Sequence, residues 1–221
     1  MNEFEADWVV KSIITWGEEN LDEFLWRNNV TPYESVIAEI MLIRTPPEQV
    51  TPVYEEFLKQ IPDVYKLSEC ELDKVKNLIR PLGLTWRAKM LVNLGNYVVN
   101  NLNGVFPDNV NDLKNIPGIG SYVAGAVLTF SFRKRAVLVD SNTVRFFKRF
   151  SRMDFEREAR RSKKIYNTME LLTPVKNKKS VKFNTSFIDF MRNVCKPKIK
   201  SNVCQECILK SNCIYYHSNY N

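Results

Sequence analysis

Apolar residues in this chain return every third or fourth position almost from end to end, a period that commits it to helices. Phe4, Trp8, Val9, Ile13 and Trp16 form one such stripe. Val36, Ile37, Ile40 and Ile43 form a second, and Leu91, Leu94, Val98 and Val99 a third. Prolines at 32, 46, 47, 52, 62, 81, 107, 117, 174 and 197 punctuate the segments without breaking the best-patterned ones. Strand-like alternation is confined to Arg135-Ala-Val-Leu-Val139, whose length suits a connector. The expected fold class is all-α. With 221 residues, 44% of them hydrophobic, the chain can bury a core as one domain or two small ones.

Composition then removes several chemistries. His217 is the only histidine and lies almost at the C-terminus. A Ser-His-Asp triad, a His-rich zinc site and a two-His iron site are therefore excluded as expectations. No run approaches the ~20 apolar residues of a membrane span. The start, MNEFEADWVV, is acidic and lacks the basic residues and apolar run of a secretory leader. A cytoplasmic, reducing location is expected, where clustered cysteines serve as metal ligands more often than as disulfides.

The net charge of +7 conceals an asymmetry. Residues 131–200 hold 20 Lys+Arg and 6 Asp+Glu, a net of +14, so the remaining residues carry −7. Charge segregated in this way suits a polyanion, although a solvated face would give the same statistic.

Glycine is scarce, seven in all, yet Gly118, Gly120 and Gly125 fall within eight residues. Leu113-Lys-Asn-Ile-Pro-Gly-Ile-Gly-Ser-Tyr122 has helical sequence on both sides. Gly118 and Gly120 can adopt positive φ and bare backbone N–H groups at the start of the next helix. Such a nest binds a phosphate oxygen without reading base sequence; a plain tight turn is the alternative. Downstream, Asp140 closes an apolar run and precedes Ser141-Asn-Thr-Val-Arg145, which reads as a helix start. Asp140 is thus an N-cap. A carboxylate there can also stabilise an oxocarbenium-like sugar or help activate water.

These motifs resemble the endonuclease III and MutY superfamily of helix-hairpin-helix DNA glycosylases. The resemblance rests on Ile116-Pro-Gly-Ile-Gly120, Ala124-Gly-Ala-Val127, Val139-Asp-Ser-Asn-Thr-Val-Arg145, Trp26-Arg27 and the stretch Pro32–Thr45, in the family's order. It implies DNA contacts through Ile116, Gly118, Ile119, Gly120 and Asn142, and a catalytic Asp140. Tyr122 stands where strand-cleaving members carry a nucleophilic lysine, so an enzyme without lyase activity is expected. Glu39 matches the glutamate that protonates the leaving base in MutY-type enzymes; in an apolar pocket its pKa could rise enough for that work. Arg44 and Leu84 match positions that fill the hole left by a flipped base. MutY-type enzymes show two glutamines where this chain has Ile43-Arg44, and that departure resembles the thymine–DNA mismatch branch.

Cys195, Cys204, Cys207 and Cys213 lie within 19 residues, at intervals of x8, x2 and x5. Four thiols so close are a metal-site pattern, and all-thiolate ligation suits zinc or a [4Fe–4S] cluster. The family's cluster loop runs x6-x2-x5, so the resemblance favours [4Fe–4S], with a structural role that places Lys196, Lys198 and Lys200 near phosphates. Cys70 reads as a core thiol and His217 as solvated.

The implied architecture is a six-helix module over 26–137, with 1–25 and 138–221 forming a second helical domain, the cleft lying between them. The implied function is a monofunctional DNA glycosylase of base excision repair. Its partner is double-stranded DNA with a mismatched or damaged base, most simply thymine or uracil opposite guanine. Adenine removal opposite 8-oxoguanine is the alternative, disfavoured because the chain stops shortly after the cysteines, without the further domain of MutY-type enzymes. A catalytically silent DNA-binding protein is a third reading. A monomer is the expected state.

Overall fold

In the computed structural model, which describes residues 3–155 and 158–220, the chain is helical and no strand occurs among those residues. The α-helices run α1 Glu3–Asn20, α2 Pro32–Met41, α3 Pro47–Gln60, α4 Val64–Ser68, α5 Leu72–Ile79, α6 Trp86–Leu102 and α7 Val110–Leu113. They continue as α8 Ser121–Phe130, α9 Ser141–Phe150, α10 Lys163–Leu172, α11 Asn177–Asn193, α12 Ser201–Gln205 and α13 Ile214–Tyr220. Two compact units result, one spanning Glu23–Phe132 and one joining the chain up to Asp22 with the chain from Arg133 onward.

Short polar side chains begin several helices by accepting bonds from amides that the first turn leaves unpaired. Thr31 and Glu34 form a reciprocal capping box at α2, with Pro32 as its first residue. Asp63 caps α4, Asn109 caps α7, and Asp140 caps α9. In the Glu23–Phe132 unit, α2 packs on α8, and α6 packs on α4 and α5. Ile37, Ile40, Leu91, Leu94, Val98, Ala124 and Val127 are wholly buried there. Each large aliphatic among them contributes roughly 1.5–3 kcal/mol of burial free energy.

The other unit is built on α1 and α11. Val9, Ile13, Phe147, Ile165, Met169, Phe183 and Phe190 form its core, and Trp16 meets Phe190 edge-on at 5.4 Å. The two helices cross closely at Gly17, where an added Cβ would lie 2.0 Å from Ser186 Oγ. The stripe expected on α1 shifts in register. Ala6, Val10 and Gly17 join Val9 and Ile13 inside, while Phe4 is exposed. Arg135–Val139 is an extended connector, not a strand. It is fastened by α11, where Asn184 Nδ2 donates to Ala136 O at 2.9 Å and Asn177 Oδ1 accepts from Arg135 N–H at 2.9 Å. That seam delivers the chain to Asp140. Cys70 is half-buried at a turn after α4, so it is not the core thiol expected; His217 is exposed.

Candidate active site

The hairpin occupies the turn from α7 into α8. Ile116 N–H donates to Leu113 O at 3.2 Å and Ile119 N–H to Ile116 O at 3.1 Å, which folds the turn back on itself. Gly118 has φ +89°, and a Cβ there would lie 2.5 Å from Met90 Cγ, so only glycine fits. Gly120 differs from expectation: its φ is −87°, in ordinary extended backbone, as the residue preceding α8. A Cβ on Gly120 would meet no protein atom within 4 Å. Ile116 and Ile119 are buried, and the Ile119 amide is already bonded, so neither side chain faces out. The amides of Ser121, Tyr122 and Val123 begin α8, where no carbonyl earlier in that helix can accept from them. Tyr122 is half-buried at the second position of that helix.

Three further candidates belong to the same unit. Glu39 lies on α2 and is only 6% exposed, unlike the solvated surface glutamate that a lone helical Glu ordinarily is. Arg44, exposed, and Leu84, half-buried, each follow a short turn and share an unusual property. Their φ angles are +57° and +49°, in the left-handed region that costs a non-glycine residue on the order of 1 kcal/mol. Such outliers persist only where the surroundings impose them. The segment between the two turns' ends is anchored by Arg87, a completely buried arginine that sequence reasoning passed over. Its signal was available: Arg87 falls in phase with Leu91, Leu94 and Val98, a cation on an apolar stripe.

In the other unit Asp140 caps α9. Its Oδ1 accepts from Thr143 N–H at 2.8 Å and Thr143 Oγ1 at 3.0 Å, and Oδ2 accepts from Asn142 Nδ2 at 2.5 Å. The carboxylate is half-buried and held in one orientation by three donors. Asn142 in turn accepts from Arg145 Nη1 at 2.6 Å. Arg145 reaches onward, with Nε donating to Cys195 O at 2.9 Å and Nη2 to Met191 O at 2.9 Å. Both polar atoms of the Asn142 side chain are therefore engaged within the protein, one on the carboxylate and one on Arg145. Arg149, one turn later, donates to Lys196 O at 2.7 Å and Pro197 O at 2.9 Å, and lies 5.2 Å above the Tyr215 ring. One face of α9 thus holds the carboxylate at one end and ties down the cysteine loop along its length.

Cys195, Cys204, Cys207 and Cys213 all line one cavity with Phe146, Phe190 and Tyr216. Burial pushes the Cys207 thiol up to about 11, and burial raises Cys204 and Cys213 as well; the neighbouring sulfurs add to each. A cation held among them would reverse that trend and take them as thiolates. Among the described residues, no three His, Cys, Asp or Glu side chains converge on a single ion position. Lys196, Lys198 and Lys200 are exposed on the same loop.

No helix among the described residues is long and apolar enough to cross a membrane. A thymine-DNA glycosylase of Aeropyrum pernix is 31% identical over 94% of this chain and 94% of its own. An adenine DNA glycosylase of Buchnera aphidicola is 33% identical over 95% of this chain but only 58% of its own. Among solved structures, a thermostable thymine-DNA glycosylase superposes with a TM-score of 0.88 at 28% identity, covering 96% of this chain and 97% of that one. Residues 37–174, the span from α2 through the hairpin and Asp140, match the family described as HhH-GPD superfamily base excision DNA repair protein. The chain belongs to the HhH-GPD superfamily of base excision DNA repair proteins, and its full-length relatives include thymine- and thymine/uracil-DNA glycosylases.

Proposed function

We propose that this protein is a monofunctional DNA glycosylase that removes thymine or uracil mispaired with guanine. The observation that carries the reading is the rigidly oriented carboxylate of Asp140, in a chain whose sequence has a tyrosine, Tyr122, at the position where the family's strand-cleaving members present a lysine. A phenol forms no Schiff base, so the sugar is attacked by water and the strand stays intact.

The amides that open α8 take a phosphate oxygen over Gly120, whose missing side chain leaves the approach clear. Arg44 and Leu84 enter the duplex where the target nucleotide leaves it. As the N-glycosidic bond lengthens, its electron pair moves onto the base and positive charge grows on the sugar. Asp140 stabilises that charge and directs water to the anomeric carbon. Glu39 donates a proton to the departing base, a role its burial supports.

The donor set also suits a sulfur-ligated centre. Cys195, Cys204, Cys207 and Cys213 would hold a [4Fe–4S] cluster, which would cross-link the loop carrying Lys196, Lys198 and Lys200. The four thiols walling one cavity support this, and zinc is the competing occupant. Anaerobically purified protein is expected to show broad visible absorbance with equimolar iron and sulfide; stoichiometric zinc instead refutes the cluster.

A panel of duplexes bearing G·T, G·U, A opposite 8-oxoguanine and modified pyrimidines, scored for alkali-labile sites, tests the function. Release from G·T or G·U without strand scission is expected. Scission that borohydride traps as a covalent adduct refutes the monofunctional reading. Preferential adenine release establishes the alternative that the Buchnera relative favours.

A further inference from the structure

Arg87 has no part in the chemistry above, yet its surroundings are unlike those of a merely tolerated cation. It is completely buried near the start of α6. A guanidinium remains charged, and burying one is costly unless its N–H groups find acceptors; both terminal nitrogens of Arg87 find them, while its Nε has none among the described residues. Nη1 donates to Met41 O, and to Ile40 O at 3.5 Å. Nη2 donates to Leu82 O at 2.9 Å, Gly83 O at 3.3 Å and Thr45 Oγ1 at 3.1 Å. The backbone N–H of Arg87 donates to Leu84 O at 3.0 Å. All of these acceptors are neutral oxygens, so this is not an ion pair that two other residues could replace.

The acceptors come from two segments far apart in sequence. One is the end of α2 and the turn after it, which carries Arg44; the other is the turn before α6, which carries Leu84. Both turns hold a non-glycine residue in left-handed backbone, a state that must be imposed from outside the residue. We propose that Arg87 is a positioning residue: a single planar fork that locks the two turns together and so sets the spacing and direction of the Arg44 and Leu84 side chains. The inference rests on Arg44 and Leu84 acting as the duplex wedge. Lysine keeps the charge but presents its donors from one point, and cannot span two turns.

The test compares single-turnover uracil release from a G·U duplex with release of the same uracil unpaired in a bulge, where no wedge is needed. In Arg87→Lys, release from the paired site is expected to fall about 100-fold, the scale of a misplaced positioning group. Release from the bulge is expected to stay close to wild type. The double variant Arg44→Ala/Leu84→Ala is expected to show a split in the same direction, losing more release at the paired site than at the bulge. Equal losses on both substrates for Arg87→Lys mark a purely structural arginine and overturn the proposal. A double variant without the split overturns it too, by removing the wedge. Amide exchange is read in parallel, on Arg87→Lys against wild type. Faster exchange at both turns with unchanged exchange in α8 supports the lock; unchanged exchange at the turns overturns it. If wild type releases no uracil from either substrate, the glycosylase reading fails on its own account, and amide exchange alone decides the role of Arg87.

Discussion

Asp140 holds two positions at once, as the N-cap of α9 and as the carboxylate of the proposed reaction, and one substitution separates them. Asparagine caps a helix about as well as aspartate but carries no charge. Asp140→Asn is therefore expected to melt close to wild type by circular dichroism while losing base release. Asp140→Ala is expected to lose release and also about 1 kcal/mol of stability in urea. An Asp140→Asn protein that still releases base removes the carboxylate from the mechanism. The motif that exposed Asp140, an aspartate closing an apolar run before Ser141-Asn-Thr, was legible because capping is local chemistry. Arg145 was less so: its bond to Cys195 depends on α9 lying along the cysteine loop, a contact across fifty residues that no window of sequence displays. Glu39 shows the converse. Its identity was plain, but its burial is a property of the unit around it.

At the scale of elements, the hairpin makes a sharp contrast between its two glycines. Gly118→Ala places a methyl group against Met90 in a backbone region hostile to it, and is expected to cost roughly 1–3 kcal/mol by urea denaturation. Gly120→Ala meets nothing in the protein and has negative φ, so its stability is expected to be unchanged. Its Kd for duplex DNA, measured by fluorescence anisotropy, is expected to rise, because the methyl group enters the space assigned to phosphate. Unchanged affinity for Gly120→Ala argues that DNA does not approach there. Sequence placed the turn and its helices correctly because the Pro-Gly-Ile-Gly pattern sits between two apolar runs. It assigned positive φ to both glycines, since nothing local distinguishes a turn residue from the N-cap that follows it. The apolar stripe on α1 was found but misphased. Phe4 lies at the free end of the helix, beyond the reach of α11, and a period alone does not say where the partner stops.

For the whole molecule, the positive block from 131 to 200 divides by use. Arg135, Arg145, Arg149 and Arg192 are engaged with carbonyls and carboxylates of their own unit. Lys148, Lys163, Lys164, Lys176, Lys196, Lys198 and Lys200 are exposed. DNA affinity is expected to fall linearly in log Kd against log salt. The triple variant Lys196→Ala/Lys198→Ala/Lys200→Ala is expected to reduce that slope by up to about 3 if each lysine meets one phosphate. A slope equal to wild type places the DNA elsewhere. Total charge in the sequence pointed toward a polyanion, but arginines spent inside the unit and lysines left outside are indistinguishable until the chain is folded.

The close crossing of α1 and α11 at Gly17 and Ser186 also sets an order of events in time. Asp22 N–H bonds to Asp189 and Glu18 pairs with Lys182, so α1 has its partners more than 160 residues away in the chain. The segment Glu23–Phe132 is contiguous and can fold as it leaves the ribosome, whereas α1, synthesised before it, stays without its partner helix until α11 has followed that whole segment. A helix with an unpartnered apolar face kept waiting that long is exposed to chaperones and to aggregation, and a segment made ahead of the Glu23–Phe132 unit becomes native after it.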